Sequence, residues 1–499
     1  MNQPSLILAI DQGTSSTKTL VFDANGTAVA KGSAPLDTHY GDDGFVEQDP
    51  EAIYHNVLLS VKQCLEQLAA KGFDKNDIGA IGISNQRETF VVWDESGRPL
   101  HPAVVWQCKR SVKICGQLKQ QGLSGPVQDR TGLVIDPYFS GSKLVWLLQN
   151  NAAVREAIQQ KRAFFGTIDS WLLHRMTGGR EYATDYTNAS RTMLFNIHTL
   201  AWDDALINAY GLTGIRLPEP KPSSALFGTT HLDGLLTKPV PVTALIGDSH
   251  AAAFGEGCYE PGTAKATLGT GCSLLMNIGN RPVRSGNGMV TTICWSVEGR
   301  VDYALEGVIV SCGATIEWLK NELGLFAESR ETAAMARSVA NNGGVYLIPA
   351  FSGLGSPHWQ MDRRASISGL SFGSTRQHIV RAALESIPFQ VMDVIGAMEA
   401  DGGVELKQLM CDGGMTSNEF VMQSIADILY KKVATIGMPD VSAMGAAYMA
   451  GLKAGVYESI PALKQLNREV THYTPGAGSA SVLRDYREWL RIINSPAAY

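Results

Sequence analysis

Two turns rich in glycine, threonine and serine carry the residues of this chain best suited to chemistry. The first follows a strand-like run that ends at Asp11, and residues 11–18 read DQGTSSTK. The second lies about half a chain later, where residues 268–273 read LGTGCS. Small side chains let an anion approach backbone N–H groups, and a carboxylate such as Asp11 is a typical Mg²⁺ ligand. One such turn alone is more often structural, but the pair predicts a nucleotide-phosphate site shared between the two halves.

Three charged residues follow strand-like runs in the first half. Arg87 and Glu88 come after the apolar run 78–83, and Asp248 comes after the run 242–246. A charged pair that follows a buried strand must be solvated, ion-paired or bound by a ligand, so an acceptor rich in hydroxyl groups and an internal ion pair both remain open. Strand ends in α/β domains face the ligand crevice, which makes Asp248 a candidate general base. An ordinary helix N-cap is the alternative for Asp248.

Other candidate residues carry weaker signals when they are taken one at a time. Trp106 and Tyr138 are more typical of a core than of a site, and the Asp412-Gly413-Gly414 turn has a common composition. The usual nucleotide sequences, G-x-x-x-x-G-K-[ST] and a G-x-G-x-x-G that opens a helix, do not occur. Histidines do not cluster with other metal-binding side chains, so we expect neither a zinc nor an iron site.

Composition excludes several classes of partner. The chain has 499 residues, a net charge of -6 and no basic run, which argues against nucleic acid and anionic membranes. Apolar stretches reach only about ten residues, too short to span a bilayer. No signal peptide is visible at the start, and the eight cysteines lack C-x-x-C spacing. They are typical of reduced core residues, and we expect a cytoplasmic protein.

Strand and helix signals alternate along the chain, which predicts an α/β fold. Strands are expected at 6–23 (a hairpin), 78–83, 90–94, 101–106, 242–246, 263–277 (a hairpin) and 406–411. Helices are expected from Asp49-Pro50 to near Gly72, near 311–322, over 375–399, from near Asn418 and over 442–454. Residues 142–300 otherwise predict mixed helix and loop. The repeated hairpins indicate two duplicated domains, 1–256 and 257–499, that face each other across a cleft.

Longer motifs reveal a family resemblance over nearly the whole chain. Residues 85–89 read NQRET, 104–110 VVWQCKR, 131–143 TGLVIDPYFSGSK, 184–200 TDYTNASRTMLFNIHTL and 412–418 DGGMTSN. Residues 138–150 and 365–385 match two family-level signatures. The chain resembles the FGGY family of carbohydrate kinases, within the group of actin-like, ribonuclease-H-like folds, and is most similar to the members that phosphorylate glycerol. The resemblance implies ATP and Mg²⁺ as cofactors and a small polyol as substrate.

The resemblance also implies roles for individual residues. Asp11 would help to hold Mg²⁺, and Asp248 would take the proton from the attacking hydroxyl. The implied acceptor-binding residues are Arg87, Glu88, Trp106, Tyr138, Asp248 and Ser249. The implied nucleotide-binding residues are Thr14, Ser15, Ser16, Lys18, Gly269, Thr270, Gly271, Gly313, Glu317, Gly414 and Asn418.

Two departures from the glycerol-specific pattern leave the acceptor open. Ser249 stands where glycerol-specific members usually have glutamine, and Ser273 stands where they usually have phenylalanine. Both changes remove bulk from a small pocket, so a larger polyol or ketose, such as a tetritol or pentulose, is the alternative to glycerol. A remote alternative is an actin-like or chaperone-type ATPase. The number of copies in the assembly, including a homo-oligomer such as a dimer or tetramer, also remains open.

Overall fold

The computed structural model describes residues 6–466 and 469–495, and its strands form two large mixed sheets. The strands of the N-terminal half are β1 Leu6–Gln12, β2 Ser16–Asp23, β3 Ala28–Pro35, β4 His39–Tyr40, β5 Val46–Gln48, β6 Ile78–Asn85, β7 Phe90–Trp93, β8 Ala103–Val104, β9 Phe164–Thr167, β10 Ala183–Asp185, β11 Phe195–Asn196, β12 Ala201–Trp202, β13 Glu219–Lys221, β14 Ser224–Thr230 and β15 Val240–Gly247. Those of the C-terminal half are β16 Thr263–Leu268, β17 Cys272–Gly279, β18 Val290–Val297, β19 Arg300–Ile309, β20 Tyr346–Ile348, β21 Ser366–Ser368, β22 Gln408–Asp412, β23 Lys432–Ile436 and β24 Val470–Tyr473.

Helices cover the faces of these sheets. Those of the N-terminal half are α1 Pro50–Ala70, α2 Val112–Gln120, α3 Ser124–Thr131, α4 Ser140–Asn150, α5 Ala152–Gln159, α6 Ile168–Met176, α7 Tyr186–Ala189, α8 Asp204–Ala209 and α9 Asp248–Gly255. Those of the C-terminal half are α10 Gly313–Asn321, α11 Thr332–Arg337, α12 Arg376–Gly402, α13 Glu419–Leu429, α14 Val441–Ala454, α15 Ile460–Leu463 and α16 Ser479–Asn494.

The two large sheets share one topology, apart from the additional edge strand β18 in the second. The first has the order β14-β15-β6-β1-β2-β3, and the second has the order β18-β19-β17-β16-β22-β23-β24. In the first, β1 is parallel to β6 and antiparallel to β2, and β6 is parallel to β15. In the second, β16 stands in the same relation to β22 and β17, and β22 is parallel to β23. The predicted duplication is therefore confirmed by strand order and direction.

Most predicted elements lie within a few residues of their expected bounds. Asp49 caps α1 by accepting a hydrogen bond from Glu51 N, and Pro50 is the first helical residue, as its fixed φ favours. The expectation of mixed helix and loop over 142–300 was incomplete, because the region also contributes β14 to the first sheet and β18 to the second. The apolar run of β18 is buried on both faces, so it lacks the alternation that marks a half-exposed strand.

Helices α9 and α14 cross with their backbones in contact. A Cβ atom at Gly445 would lie 1.8 Å from Ala251 O, and one at Gly255 would lie 2.6 Å from Val441 O. Only glycine fits at such positions, which explains the small residues predicted over 442–454. Helix α14 also packs against β1, β6 and β15, so an element of the C-terminal half supports the first sheet.

A smaller five-stranded sheet, in the order β4-β5-β8-β7-β9, is attached to the N-terminal half. Its strands share a hydrophobic core with residues of α2 to α5. All eight cysteines are buried and free, as predicted. Over residues 6–466 and 469–495, no helix has the length and apolar character that crossing a membrane requires.

Candidate active site between the two sheets

A cleft of about 1000 Å³ collects predicted residues from distant parts of the chain. It is lined by residues at the ends of β1, β6, β15 and β22 and at the start of α14. The predicted site residues that line it are Asp11, Thr14, Lys18, Arg87, Glu88, Trp106, Tyr138, Asp248, Ser249 and Gly414.

Asp11 lies deep in this cleft, at the end of β1. Ser84 Oγ donates to Asp11 Oδ1 at 2.9 Å. Burial and the neighbouring Asp248 carboxylate raise the pKa of Asp11 to about 6. A cation beside Asp11 would reverse that effect by favouring the ionised carboxylate.

Asp248 is the first residue of α9, and Gly247 occupies the N-cap position. Asp248 Oδ1 accepts a hydrogen bond from Ser249 N at 2.6 Å and lies 3.3 Å from Arg87 Nε. The carboxylate remains 39% exposed to the cleft. An exposed carboxylate beside a fixed cation can accept a proton from a bound hydroxyl.

Arg87 and Glu88 are ion-paired, but with other residues and not with each other. Arg87 Nη2 lies 2.7 Å from Glu306 Oε1, and Arg191 Nε lies 2.5 Å from Glu88 Oε1. Arg191 Nη1 lies 2.6 Å from Glu306 Oε2, which joins the four buried side chains into one network. Although burial opposes ionisation, Arg191 and Arg87 hold the pKa of Glu306 well below its ordinary value. Glu88 has a φ of 59°, a strained conformation that is typical of functional sites.

Trp106 and Tyr138 form an aromatic wall, with ring centroids 5.5 Å apart and ring planes at 67°. Thr14 Oγ1 accepts a hydrogen bond from Trp106 Nε1 at 3.0 Å. The Thr14 hydroxyl, expected to meet phosphate, thus also orients the indole ring.

Lys18 lines the same cleft from β2, opposite Asp11 in the β1–β2 register. Its Nζ lies 3.0 Å from Asp440 Oδ1, and Lys31 Nζ lies 2.5 Å from Asp440 Oδ2. Asp440 directly precedes α14, so this ion pair joins β2 to the C-terminal half of the sequence.

Ser249 and Ser273 line one cleft, as their proposed link to the acceptor requires. The Oγ atom of each is buried and has no hydrogen-bond partner within the described ranges 6–466 and 469–495. His250, next to Ser249, is fully buried. Burial, with Arg87 and Arg191, holds the pKa of His250 well below its ordinary value.

A second cavity of about 640 Å³ adjoins the first, and Gly414 lines both. Gly313 N donates to Gly269 O at 2.9 Å, and a Cβ at Gly313 would lie 2.8 Å from that oxygen. This contact holds the glycine-rich turn at residues 269–271 against the start of α10. The predicted site residues that line the second cavity are Gly269, Thr270, Gly313, Glu317, Gly414 and Asn418. Asn418 also caps α13. Three predicted nucleotide-binding residues line neither cavity: Ser15, Ser16 and Gly271.

Sequence reasoning did not single out four charged residues at the site: Arg191, Glu306, Lys265 and Asp440. Glu306 and Lys265 are buried charged residues within β19 and β16, each flanked by small or apolar residues, a pattern that requires a polar partner or ligand. Lys265 Nζ donates to Thr267 Oγ1 at 2.5 Å, and both residues line the cleft. This pattern was available in the sequence. The long-range pairing of Arg191 with Glu306 was not.

Comparison with known proteins agrees with this arrangement. The model of the FGGY family of carbohydrate kinases, N-terminal domain, matches residues 6–255, and that of the C-terminal domain matches residues 264–454. The chain belongs to the FGGY family of carbohydrate kinases. Its match to this FGGY family leaves few residues between the two domain models and covers both hairpin turns.

Several individual relatives are similar over nearly their full length. A glycerol kinase of Symbiobacterium thermophilum is 45% identical over 488 residues, 98% of this chain and 97% of the relative. Glycerol kinase 2 of Thermotoga maritima is 44% identical over 492 residues, 98% of each chain. A solved structure of Plasmodium falciparum glycerol kinase with ADP gives a TM-score of 0.93 at 34% identity, covering 98% of this chain and 97% of that one. The predicted fold class, α/β with two duplicated actin-like, ribonuclease-H-like domains, is confirmed.

Proposed function

We propose that this FGGY kinase transfers the terminal phosphoryl group of ATP to a terminal hydroxyl of glycerol, giving sn-glycerol 3-phosphate and ADP. The observation that carries the proposal is the placement of Asp248 beside Arg87 in a cleft walled by Trp106 and Tyr138. Relatives at about 45% identity over nearly the whole chain bear the name glycerol kinase, which supports glycerol as the acceptor.

In this proposal the polar side chains of the cleft bind the hydroxyl groups of the acceptor, and the aromatic side chains contact its carbon atoms. Arg87 donates to one hydroxyl oxygen and Glu88 accepts from another, while the rings of Trp106 and Tyr138 contact the carbon chain. Ser249 lies beside Asp248 at the same wall. Fixing the acceptor in this way supplies the positioning that phosphoryl transfer requires.

The transfer step needs little covalent chemistry from the protein. The acceptor oxygen attacks the γ-phosphorus, a new O–P bond forms, and the bond from that phosphorus to the β–γ bridging oxygen breaks. Asp248 accepts the hydroxyl proton, and ADP leaves. Closure of the cleft keeps water from replacing the acceptor.

Asp11 is the residue proposed to hold Mg²⁺. Its carboxyl has a pKa raised by burial and by Asp248, so a divalent cation there relieves an existing electrostatic cost. One carboxylate together with phosphate oxygens is a common way to bind Mg²⁺. When bound, the ion neutralises phosphate charge.

The nucleotide is proposed to extend from the first cavity into the second. Lys18 and the turn residues Thr14, Ser15 and Ser16 approach the phosphates from one side, and Gly269, Thr270 and Gly271 approach from the other. Gly313, Glu317, Gly414 and Asn418 border the remainder of the nucleotide. Under this proposal, units 1–256 and 257–499 each supply one part of the site. The structure with ADP of the Plasmodium relative supports a nucleotide in this fold.

A second candidate acceptor is a larger polyol or ketose. The hydroxyls of Ser249 and Ser273 at the cleft favour it, because they are buried and have no hydrogen-bond partner among the described residues. An unsatisfied polar atom costs free energy that a ligand hydroxyl can recover.

The test is a coupled assay of ADP release with Mg²⁺, ATP and a panel of acceptors from three to six carbons. Glycerol is expected to give the highest kcat/KM, with phosphate on a terminal carbon of the product. A higher kcat/KM for a tetritol or pentulose assigns the second candidate. ATP hydrolysis that no acceptor stimulates overturns both and indicates an ATPase.

A further inference from the structure

Lys143, in the first turn of α4, is fully buried, and no carboxylate lies within ion-pair distance of it in the described parts of the chain. Its Nζ donates hydrogen bonds to Tyr138 O at 2.9 Å, to Trp106 O at 3.2 Å and to Val105 O at 3.3 Å. A buried ammonium is costly unless all its donors are satisfied. Here three backbone carbonyls from two separate segments accept the hydrogen bonds of the ammonium group.

Two of these carbonyls belong to the residues of the aromatic wall. Trp106 is held at two further points, since its N donates to Thr89 Oγ1 at 3.1 Å and its Nε1 donates to Thr14 Oγ1. Tyr138 N donates to Asp136 Oδ1 at 2.8 Å. The Lys143 ammonium thus binds backbone carbonyls of both segments at once, in addition to the contact between the Trp106 and Tyr138 rings.

The neighbouring side chains of the same turn also bind backbone or side chains near the acceptor site. Ser140 Oγ donates to Glu88 O at 2.7 Å, and Ser142 Oγ lies 2.9 Å from Ser111 Oγ. A Cβ at Gly141 would lie 2.6 Å from Thr192 O, so the turn sits directly on that segment. The polar residues of the motif SGSK therefore face the segments that carry the acceptor-binding side chains.

We propose that Lys143 is a positioning residue for the acceptor, whose ammonium group fixes the angle between the Trp106 and Tyr138 segments. This inference rests on the proposed function, because it assumes that the aromatic wall contacts the acceptor. Lys143 itself touches neither acceptor nor nucleotide.

The proposal has a consequence for pH. An ammonium has three N–H donors for the three carbonyls, and the neutral amine has only two. Burial lowers the pKa of Lys143 to about 8, although the neighbouring Glu88 carboxylate acts in the opposite direction. The other groups that face it are Cys108 and Asp136, which favour the charged form, and Arg110, which disfavours it. Affinity for the acceptor should therefore fall as the pH rises through about 8.

The test compares Lys143→Met and Lys143→Gln with a matched control, Lys75→Met. Lys75 Nζ also donates to a backbone carbonyl, Leu235 O at 2.8 Å, but does not line the cleft. We expect the Lys143 variants to raise the KM for glycerol about ten-fold or more, with the KM for ATP changed less than about two-fold. The control should change neither. In the wild type the dissociation constant for glycerol should rise above pH 8, and in Lys143→Met it should be flat.

Parallel changes in both KM values would assign Lys143 a purely structural role and overturn the proposal. If the variants do not fold, a wild-type dissociation constant that stays flat from pH 7 to pH 9.5 overturns it equally. A wild type that does not phosphorylate glycerol refutes the proposed function instead, and the two failures are thus separate.

Discussion

Arg87 donates a hydrogen bond from Nη2 to Glu306 Oε1 at 2.7 Å, across 219 residues of sequence. Arg87 lies within the N-terminal family domain and Glu306 within the C-terminal one. The proposed acceptor contact is thus oriented by the half that also carries the second glycine-rich turn. A substitution at Glu306 should therefore affect both the stability of the protein and the binding of the acceptor.

Glu306→Gln should lower the free energy of unfolding by about 3–5 kcal/mol, because it leaves Arg87 and Arg191 buried with one carboxylate fewer. It should also raise the KM for the acceptor. Denaturant unfolding and steady-state kinetics measure the two effects. Glu298→Gln, which removes an exposed ion pair with Lys453, is the control and should cost less than about 1 kcal/mol. Equal small losses in both variants would show that the buried network contributes no special stability.

Asp248→Asn should reduce kcat by about 10²–10⁴-fold and leave the affinity for ATP nearly unchanged, because the amide cannot accept the hydroxyl proton. Rapid-quench kinetics and nucleotide binding by calorimetry measure these quantities. Asp204→Asn is the matched control, since Asp204 also lies in the first turn of a helix, α8. If the Asp248 variant keeps more than about a tenth of wild-type turnover, the residue is a structural group at the helix start.

Ser249→Gln combined with Ser273→Phe should lower the KM for glycerol and reduce activity on four- and five-carbon acceptors, because the two side chains add volume to the acceptor end of the cleft. Discrimination by apolar fit is about 10–200-fold per methylene, so the expected change lies in that range. Each single variant should give part of the effect. A wild type that already prefers glycerol by more than ~10³-fold would contradict the wider pocket.

Nucleotide and acceptor together should close the cleft, since the proposed phosphate contacts lie on both halves. Small-angle scattering should give a smaller radius of gyration with both ligands than without. Samples with one ligand at a time are the controls and should show a smaller change. An unchanged radius would indicate that the cleft is closed before ligands bind.

His250→Asn should make stability less sensitive to acid. The folded protein keeps His250 neutral, whereas the unfolded chain takes up a proton as the pH falls below about 6.5. This residue therefore removes stability on acidification, about 1.4 kcal/mol between pH 7.5 and pH 5.5. The variant should lose that part of the change, measured by denaturant unfolding at both pH values. Replacement of the exposed His55 by Asn should leave the change as in the wild type.

Much of the fold follows from local sequence signals. Asp49-Pro50 begins α1, and Thr375 precedes α12, because caps and helical periodicity depend only on residues close in sequence. The strands that complete the sheets over 142–300 were missed because their apolar runs are short or buried on both faces. Their assignment depends on partners that a single strand does not reveal.

The site residues show the same difference between local signals, which the sequence contains, and long-range contacts, which it does not reveal. Residues at strand ends, such as Asp11 and Asp248, were predicted from local pattern and resemblance, and the structure places both in one cleft. The partners of Arg87 and Glu88 were not predicted. An ion pair between distant segments depends on how two sheets face each other, and a charged residue shows only that it needs a partner, not which one.

The contact of Gly445 with Ala251 has a mechanical consequence. Where α9 and α14 cross, the backbones lie against each other at Gly445 and Gly255, so no side chain stands between the helices at these two points. Side chains that mesh must change rotamers or separate before two helices can alter their angle, whereas a smooth contact lets the angle change at nearly constant separation. If the halves rotate as predicted, this crossing serves as their pivot. A methyl group at position 445 would push α14 away from α9 at this crossing and displace the residues that the two helices carry.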